Sequence, residues 1–185
     1  MEFHLFYKGK LKVNGDKQHK QEIRRYFHPQ LKRLWEQEPL MSCNEYLKRT
    51  ESDSPFLINV GDFTFVPLVN QKVKLIAELD IVMLRPEAPG KIITQTGDID
   101  NRLKTLFDAL RMPQNNNEIP KGDTPKDDEK LFFCLLEDDN LITHLSVTTD
   151  RLLEQVNNDL SEVILLIHIH TKFISPTINF FTLGI

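Results

Sequence analysis

The stretch Val73–Leu84, VKLIAELDIVML, decides how this 185-residue chain folds. Its odd positions, Val73, Leu75, Ala77, Leu79, Ile81 and Met83, are all apolar, while Lys74, Glu78 and Asp80 stand among the even ones. A period of two over twelve residues is that of a β-strand with one face on a core and the other towards water. A helix would spread the same apolar set around its whole circumference.

Further strands follow on either side. Phe56–Val60 and Phe63–Leu68 precede it, with Asn70-Gln71 as the turn that leads into 73–84. Glu2–Tyr7, with Phe3, Leu5 and Tyr7 on one side, reads as a first strand, and Ile142–Thr148 and Glu162–His170 as later ones. Helical spacing appears over Lys17–Phe27, turning in Ile23, Tyr26 and Phe27. Pro29 then restarts a second segment that turns in Leu31, Leu34 and Trp35. Another helix spans 98–111, with Leu103, Leu106, Phe107 and Leu110 at i, i+3, i+4 and i+7, and a short one is expected in Arg151–Leu160. The expected fold class is therefore α+β, a single domain with a mixed, largely antiparallel sheet and helices packed on it.

Composition bounds the rest. The chain is 40% hydrophobic and 27% charged, values of an ordinary globular protein large enough to bury a core without disulfides. Cys43 and Cys134 have no metal-ligand spacing and read as free thiols of a reducing compartment. The longest apolar run, Val163–Ile167, is far too short to span a bilayer, and no apolar signal segment opens the chain; the expected location is cytoplasmic, with no membrane partner. The net charge of −4 argues against a nucleic-acid coat protein. That charge is unevenly spread: residues 1–40 hold nine Lys/Arg against five Asp/Glu, and residues 113–139 three Lys against eight Asp/Glu. The expected organisation is a basic N-terminal arm with helices (1–55), a catalytic core (72–171), and a flexible acidic insert (113–130). The uncharged tail from Ser175 to Ile185 is apolar enough to dock.

One stretch carries unusual chemistry. Gly97–Leu110, GDIDNRLKTLFDAL, sets Asp98 and Asp100 at alternate positions before a helix, and 100° per residue lines up Asp100, Lys104 and Asp108 along one side. Glu137-Asp138-Asp139 follows at a distance. Two divalent ions held by several carboxylates activate a water and stabilise a leaving alkoxide in phosphodiester hydrolysis, and a nearby lysine offsets charge on the phosphoryl oxygens. Asp98, Asp100, Asp139 and Lys104 supply those parts. The same residues also read structurally: Asp100 as a helix cap, Asp100–Lys104 and Lys104–Asp108 as i,i+4 pairs, and Asp138-Asp139-Asn140 as a turn.

In order, Asp98-x-Asp100-Asn101, Lys104, Asp108-Ala109-Leu110 and a distal Asp138-Asp139 before Ile142 resemble the motifs of the RusA family of Holliday-junction resolvases. In outline the resemblance covers residues 72–171. It implies a RusA-like homodimeric endonuclease, dependent on Mg2+ (with Mn2+ as a substitute), that cuts branched DNA in recombination and repair. Asp98, Asp100 and Asp139 match the family's metal-binding catalytic aspartates, Asp138 their neighbour and Lys104 the catalytic lysine, with Asn101 and Asp108 in support. The arginines that family members carry before Asp-x-Asp are replaced here by Ile92–Gly97, so the expected DNA grip falls to Lys8, Lys10, Lys12, Arg24, Arg25, Lys32 and Arg33. The alternative is a non-catalytic protein that binds branched DNA, or regulates it, on the same scaffold. His168 and His170 share one face of the last strand, as a His-x-His metal pair or as polar surface residues.

Overall fold

The computed structural model describes residues 1–86, 99–154 and 159–174. The strand read from 73–84 is β4, Leu75–Arg85, and it lies inside a four-stranded sheet. The sheet's order is β1 (Glu2–Lys10), β7 (Glu162–Phe173), β4, β6 (Ile142–Arg151); β1–β7 and β7–β4 are antiparallel and β4–β6 parallel. Leu75, Ala77, Leu79, Ile81 and Met83 are all at most 2% exposed, as the alternation requires, and they meet Val163, Leu165, Ile167 and Ile169 of β7 on the same face.

A second sheet has the order β2 (Ile58–Val60), β3 (Phe63–Val69), β5 (Phe132–Leu136), with β2–β3 antiparallel and β3–β5 parallel. The fold is α+β with mixed, mostly antiparallel pairing, but in two sheets where one was expected. Asn70-Gln71 does turn the chain between β3 and β4, yet it sends the chain from one sheet to the other. The Asn70 side chain holds that corner, accepting from Val73 N (3.0 Å) and donating to Pro67 O (3.1 Å).

The first helix, α1, runs unbroken from Lys17 to Trp35, with Pro29 inside it, where a restart was expected. Asp16 caps its start by accepting from His19 N (2.8 Å). Proline removes one backbone bond, but Ile23, Phe27, Leu31 and Trp35 are each at most 2% exposed, and this buried stripe holds the helix continuous. Tyr26, expected inside, is 37% exposed; its hydroxyl accepts from Lys8 N of β1. The second helix, α2 (Ile99–Leu110), packs beside α1. Gly15, just before α1, lies tight against α2: its N–H donates to Thr105 Oγ1 (3.0 Å), and a Cβ there would lie 2.7 Å from both His19 and Thr105. The helices and one face of each sheet share one core.

A smaller cluster of Phe63, Phe65, Met112, Ile119, Phe132 and Cys134 occupies the other face of the second sheet. Ile119 is 6% exposed and draws the acidic insert onto that sheet. The Arg25 guanidinium then holds Glu129 (2.8 Å), Asp123 (2.8 Å) and Thr124 O (3.2 Å). Residues 113–130 are therefore folded against the protein, where a flexible loop was expected. Cys43 and Cys134 are free and buried. No helix among the described residues is long and apolar enough to cross a membrane. The expected helix in Arg151–Leu160 lies partly, and the tail 175–185 wholly, outside the described residues; Arg151 itself ends β6.

Candidate functional site

Asp100 stands in the first turn of α2, exposed, with its Oδ1 accepting from Asn101 N (2.7 Å), where a negative charge favours the helix. Asn101 contributes its carbonyl to Thr105 Oγ1 (3.2 Å). Lys104, one turn on, is exposed. The i,i+4 pair expected between Lys104 and Asp108 does not form, because two other cations take that carboxylate. Lys20 Nζ of α1 lies 2.7 Å from Asp108 Oδ2, and Arg111 lies 3.0 Å from Oδ1. Burial by itself would raise the Asp108 carboxyl, but these two cations hold it below the ordinary aspartate range.

Arg111 also pairs with Glu118 of the insert (2.9 Å). Beneath it, Arg24 donates to Arg111 O (2.9 Å) and Asp108 O (2.7 Å), satisfying carbonyls that the end of α2 leaves open. Lys20 and Arg111 escaped the sequence reading. Arg111 carried a signal, since it lies three residues after Asp108 on a helix; Lys20 carried none.

The distal acids are set by β5. Glu137 N donates to Val69 O (2.9 Å) and its carboxylate accepts from Gln71 N (2.7 Å). Asp138 accepts from Asn140 N (2.9 Å) and closes a 3-10 turn at Asp139–Leu141, so the turn reading of these residues is also correct. That turn packs on α2. The Asp139 carboxyl is raised above the usual aspartate range, first by burial among its neighbours and then by the Asp138 charge, with Arg111 opposing. Solvent still reaches much of its side chain.

Along α2, then, the predicted residues divide. Asp138 and Asp139 sit at the Asp108–Arg111 end: Met112 N donates to Leu136 O (2.9 Å) and Gln114 Nε2 to Glu137 O (2.6 Å). Asp100 is eight residues before Asp108, an offset of about 12 Å along the axis at 1.5 Å per residue. Lys104 stands between. Asp98 lies outside the described residues. The structure brings together Asp138, Asp139 and Asp108, and sets Asp100 apart at the other end of the same stripe. Among the described residues, no group of three or more His, Cys, Asp or Glu is already arranged to hold a metal ion.

The expected DNA-binding cations fare unevenly. Arg24 is 2% exposed, with its guanidinium spent on Gln21 and the α2 carbonyls, and is corrected here from a DNA contact to a structural strut. Arg25 is half-buried and fixes the insert. Lys8 pairs with Glu154 (2.7 Å) and Lys10 with Asp159 (2.7 Å), both on the surface, and Lys32 donates to Asp128 O (3.2 Å). Lys12 and Arg33 are exposed.

No family model matches the chain, and no curated protein or solved structure is significantly similar to it.

Proposed function

We propose that this protein is a metal-dependent endonuclease that hydrolyses phosphodiester bonds in branched DNA, with Mg2+ as its cofactor and Mn2+ able to replace it. The observation that carries the reading is the Asp138–Asp139 pair, whose turn packs on α2, the helix that bears Asp100 and Lys104. Thirty residues separate Asp108 from Asp138 in sequence, yet the two acidic segments are neighbours in the fold. Burial and the neighbouring Asp138 charge together hold the Asp139 carboxyl above its ordinary range, with Arg111 only opposing them, and two adjacent carboxylates are oxygen donors of the kind a hard divalent cation takes.

In this reading Asp138 and Asp139 would hold the ion, which would supply Lewis-acid chemistry to the attacking water. Lys104, exposed and on the same stripe, meets the phosphoryl oxygens as charge develops there. Asp98 and Asp100 join the metal set on the RusA-like motif alone, and Asp108 keeps the helix end in register through Lys20 and Arg111. Branched substrate and a symmetric homodimer that cuts two strands come from the RusA-like order of motifs. The DNA grip draws on Lys12, Arg33 and the outer lysines.

The test is cleavage of labelled four-way junction, linear duplex and single strand, with Mg2+ and with EDTA. Paired nicks in the junction that need Mg2+ and vanish in Asp139→Asn are the expected result. Tight junction binding without any cleavage would instead favour a non-catalytic DNA-binding protein, and cleavage in EDTA would overturn the metal mechanism.

A further inference from the structure

The helices cover one face of the four-stranded sheet, and on the opposite face four of the chain's six histidines come together. The register sets His4 of β1 opposite His168 of β7, His168 opposite Asp80 of β4, and Asp80 opposite Ser146 of β6. The next row holds Glu2, His170, Glu78 and His144. In that second row carboxylates and imidazoles alternate across the strands. His144 Nε2 lies 3.6 Å from Asp80 Oδ1, His168 Nδ1 3.7 Å from Asp80 Oδ2, and His168 Nε2 3.6 Å from Glu2. His170 stands 3.9 Å from Glu2 and 3.2 Å from Glu78, which Lys172 pairs at 2.7 Å.

We propose that this face binds one borderline-soft divalent transition-metal ion, of which Zn2+ is the type, with Asp80, His144 and His168 as its ligands. The separations of 3.6 and 3.7 Å from Asp80 are too long for hydrogen bonds, which run about 2.7–3.2 Å. They lie much nearer the spacing of two ligands on one ion: donors bound at 2.0–2.1 Å in a tetrahedron stand about 3.3–3.4 Å apart. No three donors meet at one point in the conformation described, and the approach is pairwise through Asp80. Binding closes it by turning the His144 ring, which is 55% exposed and has room to move.

The surroundings suit such an ion. Ser146 Oγ donates to Asp80 Oδ1 at 2.6 Å and orients the carboxylate. Glu2 stands 3.6 Å from the second nitrogen of His168, one small side-chain shift away from the carboxylate–histidine–metal arrangement that fixes a ring's tautomer and raises its basicity. His4 stacks on His168, with ring centroids 4.7 Å apart, and limits its rotation. Imidazole nitrogens select zinc-like ions over Mg2+, so the site is chemically distinct from the all-oxygen aspartates beside α2 and independent of the nuclease reading.

The experiment titrates the chelator-treated 185-residue chain with zinc chloride by calorimetry, in excess Mg2+ so that the oxygen-ligand site beside α2 is occupied. Asp80→Asn and the His144→Gln/His168→Gln double variant are run beside it, with circular dichroism to confirm that each variant folds. One ion per chain is expected, bound about 100-fold more weakly by either variant, whereas Asp139→Asn binds zinc like the unmodified protein. Equal zinc binding by the unmodified chain and the double variant overturns the proposal.

Discussion

Replacing Arg24 with methionine separates a structural arginine from a DNA-contacting one. Methionine keeps much of the side chain's volume while removing the guanidinium. Arg24 is 2% exposed and donates to the carbonyls of Asp108 and Arg111, so the change strips two charge-assisted bonds from the end of α2. At about 1.5–3 kcal/mol each, the loss comes to roughly 3–6 kcal/mol, because two part-buried carbonyls lose their charged donor. For a chain of this size one kcal/mol moves the melting temperature by about 2–4 °C, so Arg24→Met lowers it by roughly 6–24 °C. Burial pushes the Arg24 pKa down to about 10, still far enough above neutrality to keep the charge, so the loss persists through the neutral range. Scanning calorimetry reads the shift. An unchanged melting temperature, together with weaker DNA binding and a salt dependence reduced by about one phosphate contact, would refute the reasoning and return Arg24 to the DNA surface.

The raised Asp139 carboxyl makes a prediction with a definite sign. Its cost is absent while the group is protonated in both states, and it grows as pH rises through the folded value. Asp139→Asn should therefore raise the melting temperature at neutral pH, leave it unchanged in acid, and abolish Mg2+-dependent cleavage. For Asp108, held below its ordinary range, the sign reverses: Asp108→Asn should lower stability at neutral pH by roughly 2 kcal/mol, with the difference closing as pH falls through the depressed value. Trp35, 1% exposed and edge-on to Phe56 at 4.9 Å, is core and no platform for bases; Trp35→Ala should cost about 3–5 kcal/mol in denaturant melts. Arg25→Ala should speed hydrogen exchange in residues 121–130 while leaving α2 protected, since its guanidinium is what ties Glu129, Asp123 and Thr124 down.

Much of the fold was legible because alternation is a local property. The odd positions of β4 are buried as the pattern requires, and β7 and α2 run within a few residues of their expected bounds. Partnership between strands is not local, so two sheets could not be told from one: Phe63–Val69 and Leu75–Arg85 look alike as strands, and only the corner at Asn70 separates them. Pro29 misled because helix propensity is weaker than the burial of Phe27, Leu31 and Trp35 on either side of it. The buried face of α2 also differs in detail, taking in Arg102, Thr105 and Ala109, because α1 and the β1–α1 connection cover a side of the helix that a lone amphipathic helix leaves wet.

For the site, spacing revealed the stripe on α2 and the distal pair but not their relative height. Arg24, Arg25 and Lys20 share a basic sequence region, and charge alone does not distinguish the buried strut, the insert clamp and the partner of Asp108. Nothing in the spacing of His4, His144, His168 and His170 announced that three strands would bring them to one face; the sheet register did that.

The central claim is that the Asp138–Asp139 pair holds the divalent ion that cleavage requires. Electron paramagnetic resonance of Mn2+ titrated into the protein tests it directly, with Mg2+ as competitor. The account predicts an ion that Mg2+ displaces, that Asp139→Asn loses, and that the His144→Gln/His168→Gln variant keeps. Retention of the Mg2+-displaceable ion by Asp139→Asn would contradict it.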